Sequence, residues 1–127
     1  MTSRKDVRVG LVQMTCVEDP SLNLERAVAQ IREAAAAGAQ VICLQEVFNT
    51  QYPCQSEDHA VFELAEPIPG PTTATLAGIA KELQVVIVVP LFEKRAPGLY
   101  HNSAAILDAD GSMAGFYRKM HIPNDPL

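Results

Sequence analysis

Two short apolar runs on either side of an amphipathic helical pattern constrain this sequence more than any other feature. Residues 7–14 (VRVGLVQM) and 41–44 (VICL) are short and rich in β-branched residues, which is typical of buried strands. Between them, Asp19-Pro20-Ser21 predicts a helix start and Gly38 predicts its end. The apolar residues of this helix recur at helical spacing: Leu24, Val28, Ile31 and Ala35. A strand, a helix and a second strand form a βαβ unit, so we expect two parallel strands and an α/β fold.

The rest of the sequence adds two helical patterns and three strand patterns. Within the irregular, proline-containing segment 48–70, residues 58–66 predict a short helix. Pro71 opens a longer helix with four apolar residues on one face: Leu76, Ile79, Ala80 and Leu83. Residues 85–89 predict a third strand that stops at Pro90. Residues 100–107 and 112–117 predict two further strands, and the Asp110-Gly111 step between them is typical of a hairpin.

Length, charge and cysteine content narrow the class of protein. The chain has 127 residues, enough for one domain and not two. The formal net charge of −5, without a Lys/Arg-rich run, argues against nucleic acid and anionic membranes as partners. Three cysteines and no signal-peptide pattern lead us to expect a soluble, cytoplasmic protein with free thiols. Residues 118–127 form a loop directly after a hairpin, so we expect the single domain 1–127 to be truncated.

Two charged residues follow predicted strands, at the position where functional groups of α/β sheets gather. Glu46 comes just after the second strand and Lys119 just after the fifth. Read singly, each is better explained as a solvent-exposed charge. Read together, a carboxylate and an ammonium at strand ends are suited to act as a general base and a stabiliser of negative charge. Such a pair needs a nucleophile as its third partner to form a covalent intermediate.

Candidates for a nucleophile, a metal site or a cofactor site are weaker. Cys43 lies within a strand pattern and is expected to be buried, and Cys16 is expected to be a loop thiol. Cys54, in the loop after Glu46, is the least implausible nucleophile. The three histidines are too scattered for a zinc pattern: His59, His101 and His121. Because nucleotide-binding glycine motifs and the serine-hydrolase motif are also missing from the sequence, we expect no metal and no cofactor.

Taken in order, these segments resemble the nitrilase superfamily of carbon–nitrogen hydrolases over nearly the whole chain. The first strand with Gln13, the segment Leu44-Gln45-Glu46-Val47-Phe48, and the unit from Gly70-Pro71-Thr72-Thr73 to Pro90 match successive family motifs. Tyr100-His101-Asn102-Ser103-Ala104 and Tyr117-Arg118-Lys119-Met120-His121-Ile122-Pro123 match the part that ends in the family's catalytic lysine. Within the superfamily, residues 48–54 and 121–127 are most similar to the N-carbamoyl amidases. Those enzymes release ammonia and carbon dioxide from a ureido group and leave a free amine.

The resemblance implies the N-terminal half of an α-β-β-α sandwich and a covalent mechanism. In that family a cysteine thiolate attacks the carbonyl carbon, and a glutamate carries protons between the thiol, the leaving ammonia and water. A lysine holds the oxyanion of the tetrahedral intermediate. Transferred by motif, Glu46 is the general acid/base and Lys119 the oxyanion stabiliser. Phe48 and Tyr52 are expected to line the substrate pocket, and His121 to support the lysine loop.

The resemblance assigns no nucleophile within residues 1–127, because the family's cysteine and an assisting glutamate come well after the lysine. We therefore expect an amidase for a small amide or ureido substrate, in polyamine or ureido metabolism, whose polypeptide continues past Leu127. The chain alone is expected to be inactive. The alternative is a non-catalytic binding or assembly module of the same fold, and a third interpretation joins Cys54 to Glu46 and Lys119. As partners we expect the missing C-terminal half or a homo-oligomer, and neither nucleic acid nor a membrane.

Overall fold

The computed structural model of the chain describes residues 6–55 and 58–123. Within these residues, five strands and two α-helices follow one another in sequence. They are β1 (Val9–Val12), α1 (Pro20–Ala36), β2 (Val41–Leu44), α2 (Pro71–Leu83), β3 (Val86–Ala96), β4 (Leu99–Leu107) and β5 (Met113–Arg118). Two short 3₁₀ helices, Pro53–Gln55 and His59–Leu64, lie between β2 and α2. The short helix predicted over residues 58–66 is thus a 3₁₀ helix, whose first turn is capped by the Asp58 side chain.

Helix α1 begins and ends as its sequence predicts. The Asp19 carboxylate accepts a hydrogen bond from the Ser21 backbone N–H at 2.8 Å, and Pro20 occupies the first turn, where no N–H is needed. Gly38 follows the helix with φ of +91°, a left-handed conformation that disfavours residues with a Cβ. Ala27 and Ile31 are fully buried, so α1 packs its apolar face against the sheet.

The five strands form one mixed sheet in the order β1-β2-β3-β4-β5. β1, β2 and β3 are parallel, as the βαβ pattern predicts, whereas β3–β4 and β4–β5 are antiparallel. It follows that β2, β3 and β5 run in the same direction and end at the same edge of the sheet. The α/β class expected from the sequence is confirmed.

The prediction that the third strand stops at Pro90 was wrong. β3 continues to Ala96, because only Val86–Val88 pair with β2 and the strand then pairs with β4, with a single parallel bridge from Glu66 to Glu93 on its other side. Between the end of β2 and the bridge at Glu93, this side of β3 has no strand partner among the described residues, so the missing N–H of Pro90 costs no ladder hydrogen bond there. A β3–β4 hairpin, with Gly98 at φ of +75°, follows from this extension and was not predicted.

The β4–β5 hairpin confirms the turn predicted from Asp110-Gly111. The Asp108 N–H donates to the Ser112 carbonyl at 2.8 Å, and Gly111 closes the turn with φ of +86°. A Cβ at Gly111 would lie 2.9 Å from the Ala77 carbonyl oxygen of α2, so the turn also packs against the helix. Of the loop predicted for residues 118–127, Arg118 still belongs to β5, and residues 124–127 lie outside the described part of the chain.

Both α-helices cover the same face of the sheet. The core between them consists mainly of fully buried side chains from α1, α2 and the central strands: Ala27, Ile31, Ile42, Leu76, Ala80, Ile87, Val89 and Leu91. By strand alternation the opposite face, here called the open face, carries Val9, Leu11 and Tyr117. Their side chains are 57%, 80% and 57% exposed. The part of the chain that the structure describes therefore comprises one sheet covered by one helical layer.

Candidate active site

Glu46 and Lys119 meet at the edge where the parallel strands end. Glu46 lies two residues beyond β2, and Lys119 is the residue directly after β5. The Lys119 Nζ atom lies 2.7 Å from Glu46 Oε1, in a hydrogen-bonded ion pair between residues 73 positions apart in sequence. The Lys119 and Glu46 side chains are 36% and 48% exposed, so the pair is open to solvent in this chain.

Each member of the pair favours the charged form of the other. The hydrogen bond from Lys119 lowers the pKa of Glu46 below its ordinary value; partial burial opposes this effect, and a hydrogen bond from Asn102 adds to it. The hydrogen bond to Glu46 correspondingly raises the pKa of Lys119. At neutral pH the site therefore holds a carboxylate and an ammonium side by side, the charge states needed by a proton acceptor and an oxyanion stabiliser.

Asn102, a residue to which the sequence analysis assigned no role, contacts both members of the pair. Its Nδ2 donates to Glu46 Oε1 at 2.7 Å, and its backbone carbonyl accepts from the Lys119 backbone N–H at 2.8 Å. The one sequence feature that could have pointed to Asn102 was its place within the motif Tyr100-His101-Asn102-Ser103-Ala104. That motif identified the segment but not the side chain that reaches across the sheet.

A buried ion pair holds the end of β5 just before Lys119. Glu93 of β3 is only 2% exposed and accepts two hydrogen bonds from Arg118, at 2.8 Å from Nε and 2.7 Å from Nη2. Ser103 Oγ donates to the same carboxylate at 2.6 Å. The hydrogen bonds from Arg118 lower the pKa of Glu93 below its ordinary value, against the opposing effect of burial. This bidentate contact fixes the backbone that carries Lys119.

The backbone is strained directly after Glu46. Val47 has φ of +48°, a left-handed conformation that β-branched residues rarely adopt, and its side chain is 1% exposed. Such a conformation costs on the order of 1–3 kcal/mol and persists only where the surrounding packing imposes it. It turns the chain abruptly, so that Phe48 enters the core while Glu46 stays at the sheet edge.

A cavity of about 530 Å³ adjoins the Glu46–Lys119 pair. Asn102 and Val47 line it beside the pair, and three aromatic rings form much of its wall: Phe62, Phe92 and Tyr100. The Phe62 and Tyr100 ring centroids are 4.5 Å apart, and Phe92 lies 5.8 Å from Tyr100. By strand alternation Phe92, Tyr100 and Asn102 point to the side of the sheet that carries the open face.

The two residues predicted to line the pocket have different positions. Tyr52 lines the cavity, and burial raises the pKa of its phenol, as do the nearby Cys54 and Glu46. Phe48 lies in the hydrophobic core, 1% exposed, and is not among the cavity-lining residues that the structure describes. His121, predicted to support the lysine loop, is exposed.

The three cysteines are free and half-buried. Cys16 donates to the Phe48 carbonyl at 3.0 Å and accepts from Gln45 Nε2 at 3.2 Å, and burial raises the pKa of its thiol. Cys43 lies within β2, and Cys54 lines the cavity. Across residues 6–55 and 58–123 there is no group of three His, Cys, Asp or Glu residues that could hold a metal ion. None of the helices in that same part of the chain is long and apolar enough to cross a membrane.

Comparison with known proteins agrees with this architecture. The chain matches the family profile described as carbon-nitrogen hydrolase over residues 8–127. It is 44% identical over 121 residues to the N-carbamoylputrescine amidase of Solanum lycopersicum, covering 94% of this chain and 40% of that protein. It is 34% identical over 115 residues to Omega-amidase NIT2 of Homo sapiens, covering 91% and 40%.

A solved structure shows the same fold. The carbon-nitrogen hydrolase from Helicobacter pylori G27 superposes with a TM-score of 0.87 at 37% sequence identity, covering 93% of this chain and 41% of that one. In each of these comparisons the chain spans about two fifths of the length of the protein it matches.

Proposed function

This chain belongs to the carbon–nitrogen hydrolase family, and from that premise we propose that it supplies the proton-transferring glutamate and the charge-stabilising lysine of an N-carbamoyl amidase. The observation that carries the proposal is the 2.7 Å contact between Lys119 Nζ and Glu46 Oε1 beside the cavity. A carboxylate in that position can take a proton from a nucleophile, and an ammonium can face the oxyanion that forms on the carbonyl.

In this proposal the nucleophile is a cysteine thiol that lies outside residues 1–127. Glu46 accepts the thiol proton, and the sulfur attacks the ureido carbon. Lys119 stabilises the negative charge on the carbonyl oxygen. Glu46 then returns the proton to the leaving nitrogen as the C–N bond breaks, which leaves a thiocarbamate on the sulfur. Glu46 next activates the water that hydrolyses this thiocarbamate to the thiol and a carbamic acid, and the carbamic acid loses carbon dioxide. The open face of the sheet, with Leu11 80% exposed, supports pairing with a further layer of the same protein.

The lining of the cavity favours a substrate that carries an amine rather than a carboxylate on its arm, the part of the molecule remote from the ureido group. Among the described lining residues, Asp58 is the one acidic residue, and there is no lysine or arginine that would pair with an anionic arm. The faces of Phe62, Phe92 and Tyr100 attract cations through their ring quadrupoles. An N-carbamoyl diamine, the substrate class named for the Solanum lycopersicum relative, fits both features.

The catalytic assignment is tested by joining residues 1–127 to the C-terminal remainder of the Solanum lycopersicum amidase and measuring ammonia release from N-carbamoylputrescine. Glu46→Gln and Lys119→Ala are each expected to lower kcat at least about a hundredfold. As a matched control, Glu82→Gln alters an exposed carboxylate on α2, so activity should be retained. Full activity in both site variants would refute the assignment. A folded fusion that binds the substrate without releasing ammonia would favour the binding-module alternative.

The preference for an amine arm has a separate test. Asp58→Asn removes the Asp58 carboxylate from the cavity wall while keeping the size of the side chain. We expect KM for N-carbamoylputrescine to rise about tenfold, as for loss of one charge-assisted contact. KM for a neutral N-alkylurea should not change. Glu63→Gln, an exposed acid on the same 3₁₀ helix, is the control. Equal KM increases for the charged and neutral substrates would contradict a charge contact with Asp58.

A further inference from the structure

The two oxygens of the Glu46 carboxylate have different surroundings. Oε1 accepts hydrogen bonds from both Lys119 Nζ and Asn102 Nδ2, each at 2.7 Å. Within residues 6–55 and 58–123, no hydrogen bond is made to Oε2. A carboxylate oxygen that already accepts two strong hydrogen bonds is less basic than its free neighbour. Oε2 is therefore the oxygen at which a proton is added.

Asn102 holds this arrangement from β4, the strand between β3 and β5. It lies in β4, opposite Phe92 of β3, and the next residue, Ser103, is opposite Arg118, the last residue of β5. Its backbone carbonyl accepts the Lys119 N–H at 2.8 Å, while its side chain donates to Glu46. One residue thus positions the backbone of the lysine and the side chain of the glutamate.

We propose that Asn102 is a positioning residue that rotates the Glu46 carboxylate so that Oε2 faces the reacting groups and carries the proton. The inference rests on the amidase reaction proposed above. In that reaction Oε2 accepts the thiol proton, and the S–H electron pair remains on sulfur. Oε2 then donates the same proton to the nitrogen, which keeps the electrons of the breaking C–N bond.

The polar groups around Glu46 come from three segments. Lys119 follows β5, and Tyr52 and Cys54 come from the segment after β2. Lys119 and Tyr52 interact with the Glu46 carboxylate, and Cys54 interacts with both of them. Asn102 is the uncharged member of the set, contributed by β4. Removing its N–H therefore changes the hydrogen bonding of Glu46 without adding or removing a charge.

The first test uses the 127-residue chain and does not depend on catalysis. Asn102→Leu keeps nearly the same size and removes the donor. Carbon-13 NMR titration of the Glu46 carboxyl carbon is expected to show a higher pKa in this variant, because one of the hydrogen bonds that stabilise the carboxylate is lost. Should the leucine variant not fold, Asn102→Asp removes the donor and adds a like charge, and again the pKa should rise. An unchanged pKa in a folded variant would overturn the proposal.

The second test measures catalysis in the fusion described above. Asn102→Leu is expected to lower kcat about tenfold to a hundredfold, with little change in KM. This loss is a part of the rate enhancement that a correctly positioned general base provides. The acid limb of the profile of kcat/KM against pH should move to higher pH, because the free enzyme's base has become easier to protonate. A purely structural role would lower activity without moving that limb.

The two tests separate the inference from the proposed function. A raised pKa with an unmoved acid limb would refute the role of Asn102 in proton transfer and leave the amidase assignment intact. An unmutated fusion that releases no ammonia from any amide would count against the proposed function, and with it the role in proton transfer. The NMR titration would then still decide whether Asn102 holds the Glu46 carboxylate.

Discussion

Replacing Glu93 with alanine is expected to destabilise this chain by about 2–4 kcal/mol. The substitution removes a carboxylate that is 2% exposed and accepts two hydrogen bonds from Arg118 and one from Ser103. Ser103 is also 2% exposed, and a buried hydroxyl left without its partner costs roughly 1–3 kcal/mol. The lost methylene packing adds about 1 kcal/mol. The Arg118 side chain is 35% exposed and can turn to solvent when Glu93 is removed. The total loss of stability therefore stays below the loss expected when a fully buried charge is left without its partner.

The chain contains a matched control for this prediction. Arg32 of α1 and Glu82 of α2 form a second bidentate pair, at 2.6 and 2.8 Å, but their side chains are 43% and 55% exposed. Glu82→Ala should therefore cost no more than about 0.5 kcal/mol, since exposed ion pairs contribute little. Urea denaturation of both variants, monitored by circular dichroism, gives the two free energies of unfolding. Equal losses, or a loss below about 1 kcal/mol for Glu93→Ala, would refute the argument from burial.

Three further stability predictions follow from the same structure and the same denaturation assay. Burial raises the pKa of Glu66, which means that the folded protein favours the neutral carboxyl. The contribution of this group to the free energy of unfolding is therefore complete below its unfolded-state pKa and is lost as pH rises through its folded-state pKa. Glu66→Gln should accordingly add up to about 1 kcal/mol at pH 7 and nothing at acidic pH; a gain that is independent of pH would contradict this. Gly111→Ala should lower the free energy of unfolding more than Gly98→Ala does, each by about 1–3 kcal/mol. Both glycines have positive φ, but only a Cβ at Gly111 would meet the Ala77 carbonyl oxygen. Equal losses would count against that contact. Leu76→Ala should cost about 2–5 kcal/mol as a fully buried core truncation, and a loss below 1 kcal/mol would mean that α2 does not pack as described.

The helices and turns were the most predictable parts of this fold. Asp19, Gly38 and Gly111 act through backbone groups a few residues away, so their effects can be read from neighbouring sequence. The length of β3 was less predictable. Pro90 is a strand breaker where both neighbours need hydrogen bonds, and only the sheet topology shows that β2 has already ended there.

The site was predictable in part. The motifs singled out Glu46 and Lys119, and the structure brings them together; their catalytic roles remain proposals. Asn102 and Glu93 were missed because each acts through side-chain contacts with residues distant in sequence. Phe48 follows Glu46 closely, yet the positive φ of Val47 directs it into the core, and no periodicity in the sequence signals such a turn.

The sequence by itself determined the local elements of this protein, because helix periodicity, capping and turn chemistry depend on residues a few positions apart. The tertiary structure decided which side chains meet. Glu46 lies 56 residues from Asn102 and 73 from Lys119, and only strand order and register place all three at one edge of the sheet. A register shift of one residue would turn Asn102 to the opposite face and remove its contact with the carboxylate.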